Sequence, residues 1–219
     1  QKQLENIKYT VDAVELAYRM GCTKFIGAGS QAEYGIHGEK STKPSSILQP
    51  IDAYGISKMA AGKLGLLEAK KKKMSFIWVR IFSVYGKYEN PNSMIQVTLQ
   101  KLLKNENCDF STGTQMWDYL YSSDAGRAFL KLGDSETKNN YYCLGSGNAK
   151  PLKEYIYEMQ NILHSNSKLN FGIIQDNPIN RNGMCADITT LTQDTGWVPE
   201  VDFIQGIKWE VERLRRKMK

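Results

Sequence analysis

Apolar positions at the start of the chain recur at helical spacing. Leu4, Ile7, Val11, Val14, Leu16 and Ala17 predict a helix over 4–20, and Gly21 ends it. Lys24–Ala28 then reads as a short apolar strand. Residues 35–50 are rich in Gly, Ser, Thr and Pro and read as loop. A long helix follows over 53–73, with the small residues Ala53, Ser57, Ala60 and Ala61 on one face, and Ser75–Phe82 is a strong strand. Helix alternating with strand is the grammar of a parallel α/β sheet. After Gly86 the pattern changes. Helices are expected at 93–104, 123–132, 151–163, near 187–195 and at 203–217, and strands near 107–111, 116–121, 140–144 and 169–174. This second part reads as a smaller α+β lobe. Neither an internal repeat nor a low-complexity segment is present.

Composition changes this picture little. The chain has 219 residues, 41% hydrophobic and 24% charged, which suits a globular protein and argues against disorder. No run approaches the roughly 18 apolar residues that span a bilayer, so no membrane partner is expected. The four cysteines, Cys22, Cys108, Cys143 and Cys185, form no CxxC pair, and there are only two histidines. A zinc site is therefore not expected, and reduced thiols point to the cytoplasm. The net charge of +6 gathers in Lys70–Lys73 and Arg213–Lys219, both at the ends of helical patterns, where cations are well placed and solvated. No nucleic-acid signature accompanies the charge, so no nucleic-acid partner is expected. His37 in a Gly-rich loop and His164 after a helix end are assigned no catalytic role. Trp78, Met94, Tyr119 and Tyr121 are read as packing residues.

The chemistry centres on Asp52-Ala53-Tyr54-Gly55-Ile56-Ser57-Lys58. A spacing of four puts Tyr54 and Lys58 on one helical face. An ammonium beside a phenol stabilises phenolate, and such a phenol can exchange protons near neutral pH. Ser30 lies at the carboxyl end of the first strand, where open α/β sheets bind ligands. The next strand ends in Arg80-Ile81-Phe82-Ser83-Val84-Tyr85-Gly86 and converges on the same place.

The order of these segments resembles the extended short-chain dehydrogenase/reductase family, in its nucleotide-sugar epimerases, dehydratases and reductases. Asn6-Ile7-Lys8-Tyr9-Thr10, Ser30 before Tyr34-Gly35, the Tyr54/Lys58 pair and Arg80–Gly86 carry the resemblance. So do Gly113–Tyr121 with Asp124, Tyr142–Gly147, and Arg181 with Asp187 ahead of Gly196-Trp197-Val198-Pro199. It implies a partial Rossmann domain with a parallel sheet over 1–87, and a smaller α+β substrate-binding lobe over 88–219 from which segments return to the sheet. It implies NAD or NADP as cofactor, hydride transfer at a sugar carbon, and a nucleotide-diphosphate-sugar substrate.

By resemblance Tyr54 exchanges the hydroxyl proton, Lys58 tunes it and holds the nicotinamide ribose, and Ser30 binds the reacting sugar oxygen. Asn6 braces the lysine through water, and Phe82 lies near the nicotinamide. Gln31 and Ser83 face substrate, and Arg181 pairs with the diphosphate. Helices 4–20 and 53–73 correspond to a four-helix homodimer interface.

Several positions depart from the family pattern. Ser83 replaces asparagine. Trp117 replaces arginine, and its indole can stack on a base or sugar or bury as a strand aromatic. Gln31 and Ala32 stand where the 4,6-dehydratases carry an acid/base pair, which disfavours β-elimination and leaves epimerisation or ketone reduction. Glu33 stands where valine is common, as a salt-bridge partner or a substrate contact. The GxxGxxG phosphate turn is absent from the chain. Three βα units of about 30 residues each are expected to precede residue 1, where there is no Met and a helix is already under way. The chain is then an enzyme lacking the adenosine half of its cofactor site and inactive alone; the alternative is a non-catalytic sugar-nucleotide-binding or interaction remnant.

Overall fold

The computed structural model describes residues 2–36, 41–176 and 184–217. His37 and Arg181 lie outside the described residues. The chain opens with α1 (Lys2–Arg19), β1 (Lys24–Ser30), a 3-10 turn (Gln31–Glu33), α2 (Ala53–Lys71) and β2 (Ser75–Ile81). Short elements follow: β3 (Ser83–Tyr85), α3 (Met94–Leu103), β4 (Cys108–Asp109), β5 (Met116–Trp117), β6 (Tyr119–Tyr121), α4 (Ser122–Asp134) and β7 (Tyr141–Leu144). The remainder is β8 (Lys150–Pro151), α5 (Leu152–Leu163), β9 (Leu169–Asn170), α6 (Thr189–Thr195) and α7 (Phe203–Lys217).

β1, β2 and β7 form a parallel sheet in that order, with Lys24 opposite Ser75, Ser30 opposite Ile81, and Ile81 opposite Leu144. Because side chains alternate along a strand, β2 serves two cores. Phe76 and Trp78 pack with Val14, Ala61 and Ala69 of α1 and α2. Ile77 and Val79 pack on the opposite face with Ala128, Leu132, Leu191 and Trp197. Helices thus cover both faces, as parallel sheets require. A separate core joins α3, α5 and α7 through Leu99, Ile156, Met159 and Ile207.

The small residues of α2 explain how closely it lies on the sheet. Its buried positions are Gly55, Ser57, Ala61, Gly62, Gly65 and Ala69. Ala53 is exposed and Ala60 half-buried, so the small-residue face is turned slightly from the sequence expectation. The Trp78 indole fills the space these residues leave. A Cβ at Gly62 would lie 2.7 Å from that ring, and one at Gly27 2.5 Å.

Three strand expectations are corrected, the first being the strand near 107–111, which shortens to Cys108–Asp109. The single strand over 116–121 is split into β5 and β6 around Asp118. This carboxylate turns inward and accepts from Ser146 N and Oγ, Gly147 N and Ala186 N at 2.6–3.2 Å. The strand over 169–174 shortens to Leu169–Asn170, because Gly172 adopts φ +80° and turns the chain.

Asp124, in the first turn of α4, plays a part like that of Asp118. Fully buried, it accepts from Glu200 N and Val201 N at 2.9 Å and pins the chain just after the Gly196–Pro199 segment. Sequence features that look like signature residues therefore serve as carboxylate clamps for loops, each binding several backbone donors at once.

Gly62→Ala is expected to force the methyl group into the Trp78 ring. It should lower unfolding free energy by about 1–3 kcal/mol, read from urea unfolding, with α2 still helical by circular dichroism.

Candidate functional site

Three elements bring the proposed acid–base residues to the carboxyl end of the sheet. Ser30 is the last residue of β1 and caps the 3-10 turn, its Oγ accepting from Ala32 N at 3.2 Å. That leaves the Ser30 O–H to donate elsewhere. Asp52 caps α2, its carboxylate accepting from Gly55 N at 2.7 Å. Gly55 has no side chain because a Cβ there would stand 2.3 Å from the Ala32 carbonyl oxygen. The first turn of α2 can therefore lie against the turn that follows Ser30. Tyr54 is in this first turn, 38% exposed. Lys58 comes one turn later with Nζ 6.0 Å from the Tyr54 ring centre, as the four-residue spacing predicts.

Lys58 Nζ donates to the Ala28 carbonyl at 2.9 Å and lies 5.9 Å from the Trp78 ring centre. Burial holds its ammonium below the usual lysine range, opposed by the nearby Glu33 carboxylate. Asn6 is half-buried on α1 and its amide donates to the Gln3 side chain at 2.8 Å. Phe82 is buried among Tyr34, Cys143 and Ala186. Gln31 and Ser83 are half-buried, Ser83 opening β3 opposite Tyr119.

Beneath these residues lies a buried ion pair. The Glu33 side chain is 1% exposed and that of Arg80 4% exposed, with Arg80 Nε 2.8 Å from Glu33 Oε2. Glu33 Oε1 accepts from Ser30 N at 2.9 Å and from Trp78 Nε1 at 2.8 Å. Arg80 also donates to the Tyr34 hydroxyl at 3.0 Å and to the Pro44 carbonyl at 2.8 Å. Of the two sequence readings of Glu33, the structure shows the salt bridge. Tyr34 shares a 3.0 Å hydrogen bond with the Cys143 thiol, which burial pushes up to about 12.

Sequence reasoning missed a cavity of about 430 Å³ between α3, the Phe110–Gln115 segment and residues 174–176. Phe110 and Leu152 supply apolar wall, and Asn92, Thr112 and Gln115 supply polar groups. Asp176 accepts from the backbone and hydroxyl of Thr112 at 3.0–3.1 Å. The available signal was the run Phe110-Ser111-Thr112 just ahead of Gly113. Trp117 is half-buried, with its ring 6.3 Å from that of Tyr119, and its Nε1 is buried without a hydrogen-bond partner. Among the described residues no cluster of three metal-ligating side chains occurs, and no helix is long and apolar enough to cross a membrane.

The model of the NAD dependent epimerase/dehydratase family matches residues 2–145. The chain belongs to this family. Among curated relatives it is 29% identical over 222 residues to dTDP-4-dehydro-6-deoxyglucose reductase of Escherichia coli, covering 98% of this chain and 68% of the relative. It is 28% identical over 221 residues to dTDP-D-glucose 4,6-dehydratase of Mus musculus, covering 96% of this chain and 61% of that enzyme. The chain thus spans about two thirds of the length of these relatives. Its fold matches UDP-glucuronic acid 4-epimerase from Bacillus cereus, solved with UDP-glucuronic acid and NAD, at TM-score 0.85 and 21% identity, covering 97% of this chain and 68% of that one. RMD from Pseudomonas aeruginosa, solved with NADPH, matches at TM-score 0.87 and 18% identity, covering 97% of this chain and 73% of that one. The Rossmann-like α/β fold with a parallel sheet expected from the sequence is the fold observed.

Proposed function

We propose that this chain carries the acid–base half of an NAD(P)-dependent nucleotide-sugar epimerase or reductase. The observation behind this reading is the arrangement of Ser30, Tyr54 and Lys58 at one strand end, with Gly55 allowing the close approach of their elements. The residues present fit the nicotinamide–ribose end of the cofactor: Lys58 offers an ammonium held at the strand end, and Tyr54 an accessible phenol beside it. They do not supply a glycine-rich turn for the pyrophosphate. When bound, the nicotinamide supplies the hydride acceptor or donor.

The protein's own groups handle the proton. Tyr54 Oη takes a proton from the sugar hydroxyl as a carbonyl forms, or returns it as the carbonyl is reduced. The Lys58 ammonium stabilises the phenolate during that exchange, and the Ser30 O–H donates to the reacting oxygen. Asn6 acts on Lys58 through water, Phe82 packs by the nicotinamide, and Gln31 and Ser83 face the sugar. Arg181 pairs with the diphosphate. Neither Gln31 nor Ala32 can move a proton, so β-elimination falls outside this reading. We place the nucleotide in the 430 Å³ cavity, whose mix of aromatic wall and a few polar groups suits a base and ribose. A cytoplasmic location accords with the four free thiols.

Tyr54→Phe is expected to lower turnover of a nucleotide-sugar by about 10²–10⁴-fold, with folding and substrate binding kept. The assay uses the full-length protein over a panel of nucleotide-sugars with NAD and NADP, following absorbance of the reduced nicotinamide for net reduction and the sugar product by chromatography for epimerisation, which returns its hydride. Unchanged turnover in Tyr54→Phe removes the mechanism. Binding without turnover in the full-length protein favours the non-catalytic remnant instead.

The homodimer belongs to the same reading. α1 and α2 present Leu4, Leu16, Ile56, Leu64 and Leu67 to solvent, each 44–64% exposed, with an apolar cleft between the helices at Val11, Leu64 and Leu67. A face of this kind is best covered by its own copy in a four-helix contact. The chain should sediment at twice its 24.9 kDa mass, and Leu67→Glu as a monomer. A monomeric parent chain counts against the interface.

A further inference from the structure

Glu33 has more partners than an ion pair needs. One carboxylate oxygen pairs with Arg80. The other accepts from Ser30 N and Trp78 Nε1. Both of these lead to the site. Ser30 carries the hydroxyl, and the Trp78 indole lies beneath the Lys58 ammonium. Lys58 otherwise has a neutral carbonyl, that of Ala28, as its hydrogen-bond acceptor.

The charged groups around Glu33 can be named element by element. β2 brings Arg80, α2 brings Lys58, the end of the 3-10 turn brings Tyr34, and β7 brings Tyr141 and Cys143. Burial raises both phenols and the thiol, so all three are neutral at physiological pH. Two cations, Lys58 and Arg80, then face one anion. The Arg80 charge is also spread against the Tyr34 and Tyr141 rings, at 4.9 and 4.8 Å from their centres.

We propose that Glu33 is a positioning residue of this site: one carboxylate sets the Ser30 backbone and supplies the negative charge that faces the Lys58 ammonium across the Trp78 indole. The proposal rests on the reading of Tyr54 and Lys58 as the acid–base pair. It predicts that removing the Glu33 charge weakens the charged form of Lys58. Removing the Arg80 charge should do the opposite, because it leaves Glu33 without its closest cation.

The test is a pH titration of the intact chain by NMR, with lysine labelled at Cε and the Lys58 signal assigned by its loss in Lys58→Met. In Glu33→Gln the Lys58 midpoint should fall by on the order of one pH unit. In Arg80→Gln it should rise. In Glu33→Asp, which keeps the charge but shortens the reach, it should stay close to the parent value even if thermal stability falls. A purely structural Glu33 predicts equal behaviour of the Gln and Asp variants, and that result overturns the proposal. So does a folded Glu33→Gln with an unmoved midpoint. If Glu33→Gln fails to fold, Arg80→Gln decides alone, and an unmoved or lowered midpoint there overturns the proposal. The readout needs no turnover, so its failure is distinct from a failure of the assay on Tyr54→Phe.

Discussion

A carboxylate and a guanidinium share the interior between two parallel strand ends, and much of the site is arranged around them. Burying Glu33 and Arg80 together carries a heavy desolvation cost, which their attraction offsets only when the remaining donors and acceptors are also met. Here they are. Glu33 accepts three hydrogen bonds, and Arg80 reaches Tyr34 and Pro44 besides its anion. Such a pair adds little net stability over well-packed apolar residues, but it tolerates no change in geometry. Losing either member leaves an uncompensated buried charge. The pair therefore fixes the 3-10 turn against β2, and with it the direction in which Ser30 leaves the sheet.

The same constraint shapes the helix above. The indole that donates to Glu33 occupies the space between sheet and helix, so Gly27, Gly29 and Gly62 must lack side chains where it lies. Gly55 is bare for a related reason at the 3-10 turn. With these glycines in place, α2 descends far enough for Lys58 to reach the Ala28 carbonyl. Packing, through one large aromatic and four glycines, sets the geometry of the chemistry.

Much of this was legible in the sequence where a period or a spacing carries it. The alternation of α1, β1, α2 and β2 followed from apolar periodicity, and the shared face of Tyr54 and Lys58 from a spacing of four. What escaped depends on long-range partners. The break in 116–121 is caused by donors 28 to 68 residues away that converge on Asp118. The choice between a salt bridge and a substrate contact for Glu33 depended on Arg80, 47 residues on, pointing to the same face. The cavity beside Phe110 is assembled from four separated stretches, around 92–98, 109–115, Leu152 and 174–176, so the one local run at Phe110-Ser111-Thr112 could not announce it. Nor could the sequence say that regular strand pairing over 169–174 stops after Leu169 and Asn170.

A double-mutant cycle on Glu33 and Arg80, read by urea unfolding, tests most directly whether the site hangs on this pair. Glu33→Gln and Arg80→Gln should each cost about 3–5 kcal/mol, and the double variant far less than the sum, with a coupling of about 2 kcal/mol or more. Costs that add to within about 0.5 kcal/mol would contradict the account, because the two side chains would then be independent and neither could be holding the turn that carries Ser30.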